Sequence, residues 1–402
     1  MSQVEGLPEW AERLREALAV KVESVDQLYG KLGLPASGGW LADALAGQVE
    51  PRRQQLAQLA VFSGIPLAVL VGDVPVRNLA VALRSSVDVS IDEVSAASRR
   101  AEDALADLGL LLSWYPQEAA RTSAAAARAR RAVARDPYEK HAAIRTAEGF
   151  RDLLGIEDEE PVGDLAELLE SLGAAVVFEP MPKAIQGITV RDTSRDAWQA
   201  VVVVNSDTWW GRQRYTLAHE LGHLLYRDDQ SLFINQKSYD EQDLVEYRAE
   251  IFARHFLAPD AAVREFWSEH GPRRAVDGLG VPLAKFMMHF GLSRQASVRT
   301  LVEVVGVPRD RLVPYTFPGC SIEQIMRQAR LGAEWDQQRM SQHQPSASNW
   351  MLSMVLDAYR QRLVGVRVVA RVLGRPNEVL AVEQELQEQG YGAGGGSLQS
   401  QG

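Results

Sequence analysis

His219, Glu220 and His223 stand in the order His-Glu-x-x-His within Tyr215-Thr216-Leu217-Ala218-His219-Glu220-Leu221-Gly222-His223. Leu217, Leu221, Leu224 and Leu225 recur around them at helical spacing, so the segment reads as a helix with one buried face. On such a helix two histidines four residues apart sit about 40° apart, one turn up, and both imidazoles reach one metal ion. Glu220 lies about 100° from His219, turned toward water and not toward the ion. Two imidazoles beside a carboxylate suit metal-assisted hydrolysis, with Glu220 as the general base. The competing reading is a pair of ordinary helix histidines satisfied by hydrogen bonds. A purely structural metal is a third, but such a site has no use for a base.

A hydrolytic centre needs a third protein ligand and one open position. The next helical stretch, Asp243 to Ala258, carries Glu246 and Glu250 one turn apart on a single face. Glu246 is the expected third ligand. Glu250 is expected behind it, accepting a hydrogen bond from a ligating imidazole and fixing its tautomer. Phe252, Phe256 and Leu257 hold this helix against a core. His255, nine residues past Glu246, falls about 180° round the helix and is set apart from that ion. Zn2+ suits two imidazoles and a carboxylate, and so does Mn2+. Spacing does not single out an oxyanion partner; Tyr226, Arg227, His255 and His289 are the candidates.

The run Arg212-Gln213-Arg214-Tyr215-Thr216-Leu217-Ala218-His219-Glu220-Leu221-Gly222-His223 is followed by Glu246-x-x-Ala249-x-x-Phe252-Ala253 and Leu257-Ala258-Pro259. Leu283-Ala284-Lys285-Phe286 and Phe290-Gly291-Leu292-Ser293 come next. Together they resemble the ImmA/IrrE-type metallopeptidases, zincins often joined to an Xre-type helix-turn-helix, over about residues 138 to 306. The resemblance places the third ligand at Glu246. Family members usually carry Asn or Asp at the position of Glu250, where this chain departs. It implies a zinc endopeptidase of the cytoplasm that cleaves a repressor or antitoxin-like protein and so controls gene expression.

An α+β fold must position these residues. Ala142 to Leu154 and Val162 to Leu172 read as helices. Ala174 to Glu179, Gly187 to Arg191 and Gln199 to Asn205 read as strands of a small sheet beside the active-site helix. In a zincin-like arrangement a strand edge lies above the metal, and a substrate peptide adds to it as a further strand. Trp198, Trp209 and Trp210 line a substrate groove or, more simply, pack. This zincin-like unit is assigned to residues 138–318.

Before it, residues 1–80 read as five short helices: Pro8 to Val20, Val25 to Leu32, Gly38 to Ala46, Arg53 to Phe62 and Pro66 to Val71. Such a set resembles an Xre-type helix-turn-helix. Ala36 to Asp43, its recognition helix, lacks the Arg, Lys, Asn or Gln that read base edges. The segment holds 7 Lys+Arg against 9 Asp+Glu. It fits a DNA-binding module, or one turned to protein docking or dimerisation. Residues 81–137 read as a helical connector in which Arg121, Arg128, Arg131 and Arg135 line one face, solvated or laid on phosphates.

After it, residues 319–390 read as a helical C-terminal region. Its apolar face of Met351, Met354, Val355, Ala358 and Leu363 would serve packing or a homo-oligomer. Residues 391–402 read as a disordered Gly-, Ser- and Gln-rich tail.

Composition narrows the setting. In 402 residues there is a single cysteine, Cys320, which cannot form an internal disulfide. The start has no basic-then-apolar leader, and no apolar run is long enough to span a membrane, so a cytoplasmic location is expected. A net charge of −10 opposes broad nucleic-acid affinity. Two functions then compete: a metallopeptidase, and a DNA-binding regulator whose peptidase-like domain senses without cutting. His219, Glu220, His223 and Glu246 are all present, which favours the first.

Overall fold

Strands β1 (Leu79–Ser85), β2 (Ala174–Glu179), β3 (Ile185–Asp192) and β4 (Ala200–Asn205) form one mixed sheet in the order β1-β3-β4-β2. β2 runs parallel to β4, and β3 runs antiparallel to both β4 and β1. The computed structural model describes residues 8–21, 28–29, 32–35, 39–63, 70–71, 79–85, 91–134, 141–182, 185–192, 199–227, 241–273, 278–316, 320–342 and 345–391. The rest of the described chain is mainly helical, an α+β composition.

The helices before the second strand are α1 (Glu9–Lys21), α2 (Trp40–Leu45), α3 (Arg53–Ser63), α4 (Ile91–Trp114), α5 (Pro116–Ala129), α6 (Ala142–Leu154) and α7 (Leu165–Ser171). After the sheet come α8 (Trp210–Tyr226), α9 (Glu241–Leu257), α10 (Asp260–His270), α11 (Gly280–Phe290) and α12 (Arg294–Val305). The last are α13 (Ile322–Gln328), α14 (Gly332–Gln342), α15 (Asn349–Arg360), α16 (Val366–Val372) and α17 (Val379–Glu388).

Side chains alternate along a strand, and here the alternation feeds two cores. Ala174, Val176, Ala200, Val202 and Val204 face α8 and share a core with Leu217, Leu221, Phe252 and Phe256. Ala175, Ile188, Val190, Val201 and Val203 face the other way, against Leu105, Leu108 and Leu112 of α4 and Met351, Met354 and Val355 of α15. The apolar face expected near residue 351 is thus spent on the sheet, although Leu363 remains 47% exposed. The C-terminal helices are one wall of the fold.

Residues 91–114 and 116–132 are helical, as expected of the connector, whereas residues 81–85 belong to strand β1. Leu79-Ala80-Val81-Ala82-Leu83-Arg84 mixes helix and strand formers, and pairing with β3 decides between them. The arginine face is also partly engaged, since Arg121 lies 2.8 Å from Glu118. Arg135 lies outside the described residues, as do 391–402 apart from Tyr391.

In the N-terminal part, Leu14, Leu18, Leu41 and Leu59 form a small core of their own. The second expected helix lies largely outside the described residues, and so do 36–38 of the expected recognition helix. Its described remainder falls in α2, six residues entered through Gly39 at φ 91°.

β2's outer margin is closed by two short-range devices. Phe178 and Ser346 exchange main-chain hydrogen bonds of 2.9 and 3.0 Å. The Val176 N–H reaches the Glu170 carboxylate at 3.5 Å, which also accepts from Ser348 Oγ and the Trp350 N–H. Burial pushes the Glu170 pKa up, against these donors.

Candidate metal centre

Helix α8 is entered from an extended Trp209 and stopped by Arg227 in the left-handed region at φ 57°. Every residue from Thr216 to Leu225 is buried, so its imidazoles and carboxylate are held inside the protein. Burying such groups is costly unless they find partners. The partners are one another. His219 Nε2 lies 3.0 Å from His223 Nε2 and 3.2 Å from Glu246 Oε2, and His223 Nε2 lies 3.5 Å from Glu246 Oε1.

These separations fit one ion. Ligand atoms about 2.0–2.1 Å from a tetrahedral zinc are roughly 3.3 Å apart. The donor types agree as well: two imidazole nitrogens and a carboxylate oxygen all offer lone pairs to the same point. Among the described residues this is a cluster of three metal-type side chains with ligand atoms within 4.8 Å of one another. The site is open on one side, because the Glu246 side chain is 46% exposed while those of His219 and His223 are 2% and 5% exposed.

Close approach of α9 to α8 makes this meeting geometric. A Cβ on Gly222 would lie 3.1 Å from Phe252 Cδ1 and 3.4 Å from Ala249 Cα. Glycine facing alanine lets the two helices come together, three residues from where Glu246 meets the imidazoles. The end of α9 is tied in turn by the buried Arg151 of α6, which donates to Phe256 O at 2.8 Å and to Glu160 O at 2.7 Å.

Glu220 is 1% exposed, and its Oε2 accepts a 2.7 Å hydrogen bond from Thr189 Oγ1 on β3. Thr189 was not foreseen from sequence. Its signal is faint: Gly187 and Thr189 share a strand face, and a Cβ on Gly187 would lie 2.7 Å from Thr216 Cγ2. β3 therefore runs along α8, with Gly187 opposite Thr216 and Thr189 opposite Glu220.

Glu250 is not where it was expected. Its carboxylate lies 3.7 Å from Arg299 Nη1, beside a groove shared with Arg212, Tyr215 and Arg254. Four residues advance about 6 Å along the helix axis, which carries Glu250 past the imidazoles to the next neighbour.

Three of the four oxyanion candidates have partners away from the centre. Tyr226 Oη donates to Thr146 Oγ1 at 2.9 Å and lies under the Arg248 guanidinium. His255 Nδ1 donates to Ile251 O at 2.9 Å, and Nε2 faces Arg254. Burial, then the Arg254 charge, pushes His255 down to about 4. His289 stacks on Phe266, and burial lowers its pKa. Trp209 packs against Trp335 and Trp210, the bland reading of those tryptophans; Trp198 lies outside the described residues. A cavity of about 640 Å³ beside Arg214, Trp210 and Leu217 has none of the three converging residues in its wall.

Residues 169–301, which carry Thr189, His219, Glu220, His223 and Glu246, match the model of the IrrE N-terminal-like domain. The chain carries a domain of the ImmA/IrrE metallopeptidase family. The chain is also similar to the radiation response metalloprotease IrrE of Deinococcus radiodurans, 30% identical over 122 residues. That match covers 29% of this chain and 35% of the relative, so the chain spans about a third of the length of the protein it matches. The family that this domain matches is one of metallopeptidases, which use a divalent metal, and the His-His-Glu cluster is a fitting place for one. Among the described residues no helix is long and apolar enough to cross a membrane.

Proposed function

We propose that this protein is a zinc-dependent endopeptidase acting on a protein substrate, with His219, His223 and Glu246 as metal ligands and Glu220 as general base. The observation that carries this reading is the convergence of two buried imidazoles and a half-exposed carboxylate next to a buried glutamate. Manganese suits the same donors. A cation held there supplies Lewis acidity, polarising a carbonyl and acidifying water. Thr189 fixes the orientation of Glu220. Glu220 takes the proton of the attacking water and returns it to the leaving amine, so one carboxylate serves as base and then as acid. The half-exposed side of Glu246 is where an extended peptide enters.

The substrate class we propose is a repressor or antitoxin-like regulatory protein, with cleavage controlling gene expression in the cytoplasm. Its support is the family resemblance and a relative described as a radiation response metalloprotease.

The test is metal content of purified protein, by plasma mass spectrometry under reducing conditions. The comparison is with His219→Ala/His223→Ala/Glu246→Ala. About one zinc or manganese per wild-type chain and none in the variant is expected. No metal in either, after reconstitution with each ion, would leave the non-cleaving regulator as the better reading.

A further inference from the structure

β3 is the strand that touches the proposed base, through Thr189 and Glu220. A peptide recognised by strand addition draws its affinity from a row of main-chain hydrogen bonds along a strand edge. One margin of β3 is paired with β4, from Gly187 opposite Val204 to Arg191 opposite Ala200. The other margin is taken by β1, from Leu79 opposite Asp192 to Ser85 opposite Ile185. In that register Ala82 lies opposite Thr189. Neighbouring strands are about 4.8 Å apart, so β1 occupies the backbone track that an added peptide would need.

We infer that β1 is an intramolecular stand-in for substrate, which closes the β3 edge until it is lifted away. The inference rests on the peptidase reading and adds its regulation. Three further features support it. β1 comes from outside the segment that matches the IrrE-like domain, residues 169–301, whereas β2, β3 and β4 lie within it. The ladder is irregular between Arg84 and Ser85, a point from which pairing can peel. In sequence β1 joins the N-terminal helices to α4, and α3 also touches α4. A partner that draws the N-terminal helices away therefore pulls on this strand. The device resembles a gate whose latch is the substrate-like strand itself. The alternative is a permanent fourth strand with the peptide entering elsewhere.

Two experiments on the full chain separate these. The first uses Val81→Pro/Ala82→Pro. Consecutive N–H groups of a strand point to opposite margins, so one of the two prolines removes a donor aimed at β3. The probe is a fluorescein-labelled peptide Leu-Ala-Val-Ala-Leu-Arg-Ser, the sequence of β1, followed by anisotropy. Binding to the variant at least about tenfold tighter than to wild type is expected. Equal binding by a variant with native circular dichroism overturns the inference.

The second needs no variant: native-state hydrogen exchange of the wild type. Amides of β1 should exchange about a hundredfold faster than those of β4, because β1 opens on its own. Exchange of the two strands in one cooperative step overturns the inference. Neither readout uses cleavage. A failed peptidase reading would instead appear as absent metal uptake, with these two results unaffected.

Discussion

Val202 and Val203 are neighbours in β4, yet Val202 faces α8 and Val203 faces α4 and α15. On the far side, the buried Asp107 meets Arg371, which opposes the effect of burial on its carboxyl. Tyr115 donates to Asp357 at 2.8 Å, and burial together with that carboxylate pushes the phenol up to about 12. Ionisable groups there are settled in pairs. On the near side His219, His223 and Glu246 turn acceptor atoms toward one point. Pairing makes a wall; convergence of like donors calls for a cation. The same strands supply both, because alternate residues are independent in what they face.

Four substitutions or conditions would break or sharpen that contrast. The largest effect belongs to Glu220→Gln, which should lower cleavage about 10³-fold while metal content and melting temperature stay near wild type. Retained cleavage would remove Glu220 as the base. Next, on the far side, Leu108→Ala should cost about 2–4 kcal/mol in urea unfolding, yet leave metal per folded chain unchanged. Loss of metal in that variant would show that the two faces are not independent.

Thr189→Val keeps the shape and removes the donor to Glu220. We expect kcat to fall about tenfold with KM nearly unchanged, and the acid limb of the pH profile to move. An unaltered profile would make Thr189 mere packing.

The smallest effect concerns His255, a buried imidazole of the near side that stands apart from the centre. Its folded pKa of about 4 lies below the usual 6.5, so the unfolded chain takes up the proton first as pH falls. Stability should therefore decline from about pH 6.5 toward 4, by an amount on the order of 1 kcal/mol attributable to this group. His255→Gln should flatten that slope in chemical denaturation; an unchanged slope would mean that His255 protonates freely.

Helix α8 was legible because its chemistry and its apolar face are both local, written at three- and four-residue spacing. β2, the core of β3 and β4 were legible for the same reason, with Val201 to Val204 as the clearest run. Glu246 was singled out by helix position, and the Gly222–Ala249 contact lets its helix approach the imidazoles. Glu250 was misplaced because angular position on a helix ignores its advance along the axis. Thr189 and β1 were missed for a different cause. Each depends on which strand lies beside which, and a seven-residue stretch of Leu, Ala, Val and Arg does not encode its partner.

The outer margin of β2 has a consequence for how the protein behaves in a crowded solution. A bare strand margin offers a template to other chains, and sheets left that way tend to grow into one another. Here the Val176 and Phe178 N–H groups, which share that margin, are both occupied, one by a carboxylate and one by a two-hydrogen-bond bridge to Ser346. Loss of the segment around Ser346 to Trp350 would remove the bridge and the two donors that hold Glu170 in place. Opening that margin without truncating the C-terminal wall, by Glu170→Ala, would be seen as turbidity and loss of colloidal solubility.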